Sequence, residues 1–146
     1  MAALALSERA GFRLLAHTAD IGLEATAPTR EELFIAAAEG LRTLLFGATP
    51  AVAAIRLEVH LRAGDCAELL VAWLNEILCI SEMTRLVPAS FEIRELTGEQ
   101  LTAIITGEPF DADRHTVERT AKAVTYHRLV VKERNNGWYA RVYIDL

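Results

Sequence analysis

Apolar and polar residues alternate in several short stretches of the chain, which is the pattern of half-buried β-strands. The alternation is clear in residues 23–27 and again in residues 55–62, where apolar positions face one way and charged positions the other. Phe12 to Ala16 is a short extended stretch that precedes the first of these. The sequence therefore predicts three strands in its first 62 residues.

Two other stretches have apolar residues at helical spacing, and each follows a capping sequence. Thr29 and Asp65 are each followed three residues later by a glutamate, the arrangement in which the side chains at the two positions bond each other's backbone N–H groups. Gly47 fits the residue of positive φ that ends a helix. We expect one helix from Thr29 to Gly47 and a second from Asp65 to about Met83.

The remainder of the chain predicts two hairpins. Alternating residues from Phe91 to Thr106 surround Thr97-Gly98, and strands at 122–132 and 138–144 flank Asn135-Asn136-Gly137. Asparagine followed by glycine is typical of tight hairpin turns.

These elements predict an α+β fold with two layers, in which a mixed, mostly antiparallel sheet packs against two helices. With 146 residues, 52% of them hydrophobic, the chain can fill one core, so we expect a single domain over residues 1–146 with residues 1–11 as a lead-in. The longest apolar stretch, Leu69 to Ile80, is shorter than the ~20 residues of a membrane span, and the first residues do not form a signal peptide. A cytoplasmic protein with no membrane partner is expected.

The charge of the chain argues against one class of function, and the spacing of its cysteines argues against a disulfide. The net charge is −5 and the basic residues are scattered, which argues against autonomous binding of nucleic acid, so any contact with RNA should be indirect, through a protein partner. Cys66 and Cys79 are predicted on one helix, roughly 20 Å apart at about 1.5 Å rise per residue, and cannot form a disulfide with each other.

The turn from His17 to Asp20 and the end of the chain are the strongest candidates for a functional site. An aspartate in a turn often only caps backbone amides. However, Asp145 brings the α-carboxylate of Leu146 with it, and if Asp20 lies nearby, three anionic oxygen donors converge. Such donors suit calcium or magnesium. The alternative is a frayed, solvated C-terminus.

Three histidines have a structural and a functional interpretation. His17 is a ligand, an orienting residue or a proton shuttle, or it is simply hydrogen-bonded at a strand end. His60 is expected to be solvated. His127 is expected to be half-buried on one strand face with Thr125, Leu129 and Val131, while Lys122 and Tyr126 alternate onto the opposite face.

Residues Gly107 to Arg119 are predicted to form a polar loop. The loop either contributes to a metal site or, as we favour, forms a solvated tip. The loop contains Glu108, Asp111, Asp113 and His115. The chain has no Gly-rich phosphate loop, Gly-x-Ser-x-Gly elbow or His-Glu-x-x-His pair, so catalysis by this chain alone is not expected.

Five motifs of the chain together resemble the archease family, over about residues 12 to 146. They are His17-Thr18-Ala19-Asp20-Ile21-Gly22, Thr29-x-x-Glu32-x-Phe34, Gly107-Glu108 with Asp111 and His115, Lys122-Ala123-Val124-Thr125-Tyr126-His127, and Ile144-Asp145-Leu146.

The resemblance implies a strand–helix–strand–strand module with an inserted helical unit, and a cofactor of the RNA-splicing ligase rather than an enzyme. Archeases promote guanylylation and multiple turnover of that ligase in tRNA splicing or RNA repair. The family binds a divalent metal, with calcium expected, through positions that match Asp20, Asp145 and Leu146. The same pattern includes Lys122 and Tyr126, together with His17 and His127, as residues for activation of the partner.

Two alternatives remain open at this stage. One is a metal-dependent hydrolase that acts alone on a phosphate ester, with His17 or His127 as general base. The other is a chaperone or scaffold whose metal is structural.

Overall fold

The structure, a computed structural model, describes residues 10–16 and 20–146. In chain order its elements are β1 (Gly11–Ala16), β2 (Asp20–Ala27), α1 (Arg30–Phe46), β3 (Ile55–Arg62), α2 (Cys66–Thr84), β4 (Leu86–Leu96), β5 (Gln100–Pro109), β6 (Ala123–Arg134) and β7 (Gly137–Asp145).

The strands form two sheets, one with the order β1-β2-β7-β6 and one with the order β3-β5-β4. Each strand pairing within the described residues is antiparallel. The predicted α+β class is confirmed, but the strands divide between two antiparallel sheets instead of one mixed sheet. The division arises because β3 pairs with β5 and not with the strands that precede it in the chain.

Both helices pack against strands of the two sheets. Helix α1 contacts β1, β2 and β4, and α2 contacts β3, β4 and β6. Trp73 of α2 is fully buried, its indole N–H donates to the carbonyl of Phe34 in α1 at 3.0 Å, and its ring meets Phe91 edge-on. One core therefore joins the two helices and both sheets.

The predicted helix caps are confirmed. The Thr29 hydroxyl accepts from the backbone N–H of Glu32 at 3.2 Å, and the Asp65 carboxylate accepts from that of Glu68 at 2.8 Å. Gly47 ends α1 with a φ of 63°, whereas α2 ends one residue later than predicted. Side chains that capture the first free N–H groups define where each helix starts.

The hairpin turns also form where the sequence predicts them, although the first hairpin is longer. Asn135 and Asn136 have φ angles of 54° and 62°, the left-handed pair of a type I′ turn. The strand β5 continues to Pro109, so Gly107 lies in the sheet and not in a loop. A Cβ at Gly107 would lie 2.4 Å from the carbonyl oxygen of Val87, and only glycine fits this close approach.

Strand β6 contains a wide irregularity. Thr125 pairs with Tyr143 and Val130 pairs with Arg141, so that five steps along β6 match two steps along β7. Arg128 lies within this segment and has a φ of 53°. We call residues 126–129 the β6 bulge.

Both cysteines are free thiols, as predicted. Among the described residues, neither helix is long and apolar enough to cross a bilayer.

Candidate functional site

The strand register places Asp20 and Asp145 side by side. The two residues are direct partners in the ladder between β2 and β7, which are the inner strands of the four-stranded sheet. On its other side Asp145 pairs with Ala123, and its carbonyl oxygen accepts from the backbone N–H of Lys122 at 2.8 Å. Asp20 and the chain's last residues are therefore neighbours, as predicted, while residues 17–19 of the first polar turn lie outside the described residues.

This pairing brings two carboxylates to one face of the sheet, because side chains of directly opposed residues lie on the same side. Like charges in that position repel unless a cation lies between them. Asp145 is exposed, and Leu146 is half-buried against the core. The tail is thus part of the ladder up to Asp145, not the frayed end that was the alternative.

The complete ligand set stays a prediction. Within residues 10–16 and 20–146 no three His, Cys, Asp or Glu side chains are grouped so that they can hold a metal ion. The predicted third donor is the terminal carboxylate of Leu146, which is not a side chain, and His17 lies outside the described residues. The two aspartates fit a hard cation by their chemistry, since both offer oxygen.

The β6 bulge changes where the candidate residues of that strand point. Because the register across the bulge shifts by an odd number of residues, Val131 pairs with Ala140 and faces the opposite side from Thr125. The predicted common face of Thr125 and Val131 is therefore wrong, whereas the ring contact of His127 with Tyr143 keeps His127 on the side of Thr125. His127 is also exposed instead of half-buried.

Exposed residues at the start of β6 lie next to the acidic pair. Lys122 and His127 are exposed, and Tyr126 is 64% exposed. The His127 ring meets the ring of the buried Tyr143 edge-on, with centroids 5.8 Å apart. Because Tyr143 and Asp145 are two residues apart on β7, their side chains share a face, and Asp20 is on that face as well.

The close approach of Tyr143 to β2 depends on a glycine of the first motif. A Cβ at Gly22 would lie 3.0 Å from the Tyr143 ring and 3.1 Å from Leu15. The absence of a side chain at Gly22 therefore lets the Tyr143 ring and Leu15 pack against β2 beside the acidic pair.

The polar loop after β5 is largely exposed, Asp113 included, as predicted, but His115 is buried in it. His115 is 3% exposed and Glu108 is 5% exposed. The backbone N–H of Asp111 donates to His115 Nδ1 at 2.9 Å, which leaves the Nε2 proton for Glu108 Oε2 at 3.1 Å. The prediction of a solvated position is wrong for His115, because its ring nitrogens bond to the Asp111 backbone and to Glu108 instead of water.

Glu108 is the acceptor at the centre of this cluster. It accepts from the backbone N–H of Val52 at 2.6 Å, from the Arg114 guanidinium and from His115. The hydrogen bonds from Arg114 and then Val52 lower the pKa of Glu108 to about 2. The cluster fastens the loop after β5 to the segment before β3, so its role is structural.

His60 is exposed, as predicted, and contacts Glu58 Oε1 at 2.6 Å. Sequence reasoning missed Asn75, whose amide donates to the carbonyl of Val124 at 3.0 Å and accepts from the Val124 N–H at 2.8 Å. An asparagine in the otherwise apolar stretch 69–80 was the available signal. Asn75 holds the start of β6, next to the acidic pair, against α2.

Comparison with known proteins identifies the family of this chain. The sequence model of the archease protein family matches residues 12–146. The chain belongs to the archease family.

Related archeases match over most of their length. The protein archease of Methanopyrus kandleri is 35% identical over 133 residues, which cover 89% of this chain and 95% of that protein. The protein archease of Methanosarcina barkeri is 35% identical over 139 residues, with 92% and 95% covered.

Two solved structures share the fold. A solution structure from Methanobacterium thermoautotrophicum has a TM-score of 0.73 and 28% identity, and covers 93% of this chain and 99% of that one. The crystal structure of a Thermotoga maritima archease, described as a possible chaperone, has a TM-score of 0.60 and 19% identity, with 92% and 96% covered.

Proposed function

We propose that this member of the archease family is a non-catalytic, metal-binding activator of the RNA-splicing ligase, which promotes guanylylation and multiple turnover of that enzyme in tRNA splicing or RNA repair. The single observation that carries the proposal is the pairing of Asp20 with Asp145 at the exposed end of two inner strands. RNA contacts the ligase, and this protein only indirectly.

The arrangement supports a role as an activator of another enzyme, because the acidic pair offers oxygen ligands for a cation but no nucleophile of its own. The two carboxylates and the Leu146 terminus would hold a divalent ion, with calcium favoured by an all-oxygen donor set. When bound, such an ion neutralises charge on phosphoryl oxygens. The residues of this chain hold that charge at a rigid sheet end, where a partner's active site can reach it.

Exposed residues beside the pair would complete the contact with the ligase. Lys122, Tyr126 and His127 are exposed at the start of β6, and Lys122 is bonded through its backbone to Asp145. We assign them, together with His17, to partner activation. A cation, an aromatic ring and an imidazole can contact a protein surface or a nucleotide bound by the ligase.

The test is a guanylylation assay of the ligase encoded in the same genome, with labelled GTP and with Asp20→Asn or Asp145→Asn. Each variant should lose most of the stimulation, whereas Asp113→Asn, a matched exposed aspartate in the loop after β5, should retain it. Calcium should raise the melting temperature of the wild type and of Asp113→Asn but not of the other two. Full stimulation by both site variants would refute the proposal.

A chaperone role is the second candidate, because the Thermotoga maritima archease of the same fold is described as a possible chaperone. It predicts that the protein suppresses aggregation of the ligase during refolding, and that Asp20→Asn and Asp145→Asn do so as well as the wild type. A stand-alone hydrolase, by contrast, would turn over phosphate esters without any ligase.

A further inference from the structure

A partly open groove lies at the end of α2 and contains none of the candidate site residues. It has a volume of about 270 Å³, and its walls come from the ends of both helices, the start of β4 and the segment 117–121. Apolar side chains form most of its lining, including Phe46, Leu78, Phe110 and Val117. Val117 is 49% exposed, which is a high value for a valine at the edge of a core.

Two arginines line the groove and give it positive charge. Arg85 and Arg119 line it and are exposed, and Arg85 lies over the Phe110 ring at 5.4 Å. Within residues 10–16 and 20–146 neither guanidinium forms a salt bridge. One carboxylate, that of Glu82, also lines the groove, so the local charge remains positive.

A buried hydroxyl group in the groove has no hydrogen-bond partner. Ser81 Oγ is the one buried side-chain oxygen or nitrogen of the described residues that lacks a partner. Ser81 lines the groove. A buried polar atom without a partner is costly, but this Oγ has less than 1 Å² of exposed surface, so the proposal does not depend on it.

These features fit an acidic peptide segment better than a small molecule. The volume is below the roughly 300–1,000 Å³ of typical small-molecule sites. It suits one large apolar side chain, while carboxylates next to that side chain would pair with Arg85 and Arg119. Because the protein as a whole is acidic, with a net charge of −5, the groove is a local exception that selects for a segment of opposite charge.

The groove is connected along the chain to the strand that carries Asp145. The segment that lines it ends at Ala121, and the next residue, Lys122, donates its backbone N–H to Asp145.

We propose that the groove is the docking site for a ligase segment that carries a large apolar residue flanked by acidic residues; this inference rests on the proposed function. The groove supplies binding affinity, and the acidic pair supplies activation. The two roles are therefore separable by mutation.

The experiment compares binding and activation in full-length protein. Arg85→Glu/Arg119→Glu and, separately, Val117→Asp should weaken the Kd for the purified ligase by about tenfold or more, as expected when charge-assisted contacts or a buried apolar contact are lost. Arg56→Glu/Arg62→Glu changes charge equally at exposed arginines that do not line the groove, and should bind like the wild type. Circular dichroism confirms folding of each variant.

Activation separates this proposal from the proposed function. At saturating concentration the groove variants should stimulate guanylylation fully, whereas Asp20→Asn should bind the ligase but fail to stimulate it. Hydrogen exchange of the wild type with and without ligase should show protection of residues 81–86 and 117–121. Wild-type affinity in both groove variants, or no protection there, overturns the docking site and leaves the proposed function intact.

Other occupants give different results. A second copy of this chain would appear as a dimer in sedimentation that the groove variants dissociate, and this would overturn the proposal. Absence of both binding and stimulation by the wild type would overturn the proposed function and the docking site together.

Discussion

Removal of the Asn75 amide should destabilise the protein by loosening the start of β6. Asn75 makes two hydrogen bonds, at 3.0 and 2.8 Å, to the carbonyl and the N–H of Val124, a residue that is 3% exposed. In Asn75→Ala both backbone groups lose their partner. Each bond contributes a net ~0.5–1.5 kcal/mol, so the free energy of unfolding should fall by about 2 kcal/mol. For a chain of this size the melting temperature should fall by about 4–8 °C.

The assay is thermal unfolding followed by circular dichroism, with two comparison variants. Asn75→Asp keeps an acceptor for the Val124 N–H but loses the donor to its carbonyl, so its stability should lie below the wild type. Glu76→Ala changes the adjacent half-buried position on α2, where no hydrogen bond of the side chain is present among the described residues, and should be near neutral. Hydrogen exchange should also accelerate in residues 122–126. If Asn75→Ala melted like Glu76→Ala, the two bonds would not hold β6 in place.

Three further outcomes follow from the packing. Gly107→Ala should destabilise the protein by roughly 1–3 kcal/mol because its Cβ would lie 2.4 Å from the Val87 carbonyl, whereas Gly98→Ala, with no atom within 4 Å, should stay within about 0.5 kcal/mol of wild type; urea unfolding compares them. Asn136→Val should destabilise the last hairpin by about 1–2 kcal/mol, since a β-branched residue resists a φ of 62°, and equal melting temperatures would contradict this. The pKa of Glu108 is lowered from 4.5 to about 2, so its ionised form stabilises the fold above pH 4.5 and this contribution is lost as the pH falls toward 2. The stability difference between wild type and Glu108→Gln should therefore shrink over that range in acid-unfolding curves; a constant difference would argue against it.

The elements that local sequence defines were predicted well. Thr29 and Asp65 cap their helices, and Asn135-Asn136 forms the turn, because each of these side chains or backbone preferences acts within four residues of its own position. The neighbourhood of Asp20 and Asp145 was also anticipated, although it depends on contacts between distant parts of the chain. Hydrophobic periodicity cannot predict a contact between such distant residues, and the resemblance of the motifs to the archease family was what suggested it.

The errors came from interactions that the local pattern does not encode. The face of Val131 relative to Thr125 was misassigned because alternation was assumed to continue through residues 126–129, and the register shift there has no periodic signal. His115 was expected in solvent, yet its partner Glu108 lies seven positions earlier and completes a closed polar cluster. The apolar neighbours Phe110 and Val117 were the only hint of burial.

The β6 bulge and Asn75 together bear on the solubility of the protein. Because β6 is the outer strand of its sheet, a regular β6 would expose a run of unpaired backbone groups along which another copy could add a strand. The Asn75 amide occupies these groups at Val124, and the bulge breaks the remaining row after Thr125. The same irregular segment that presents Tyr126 and His127 thereby protects the molecule from edge-to-edge aggregation.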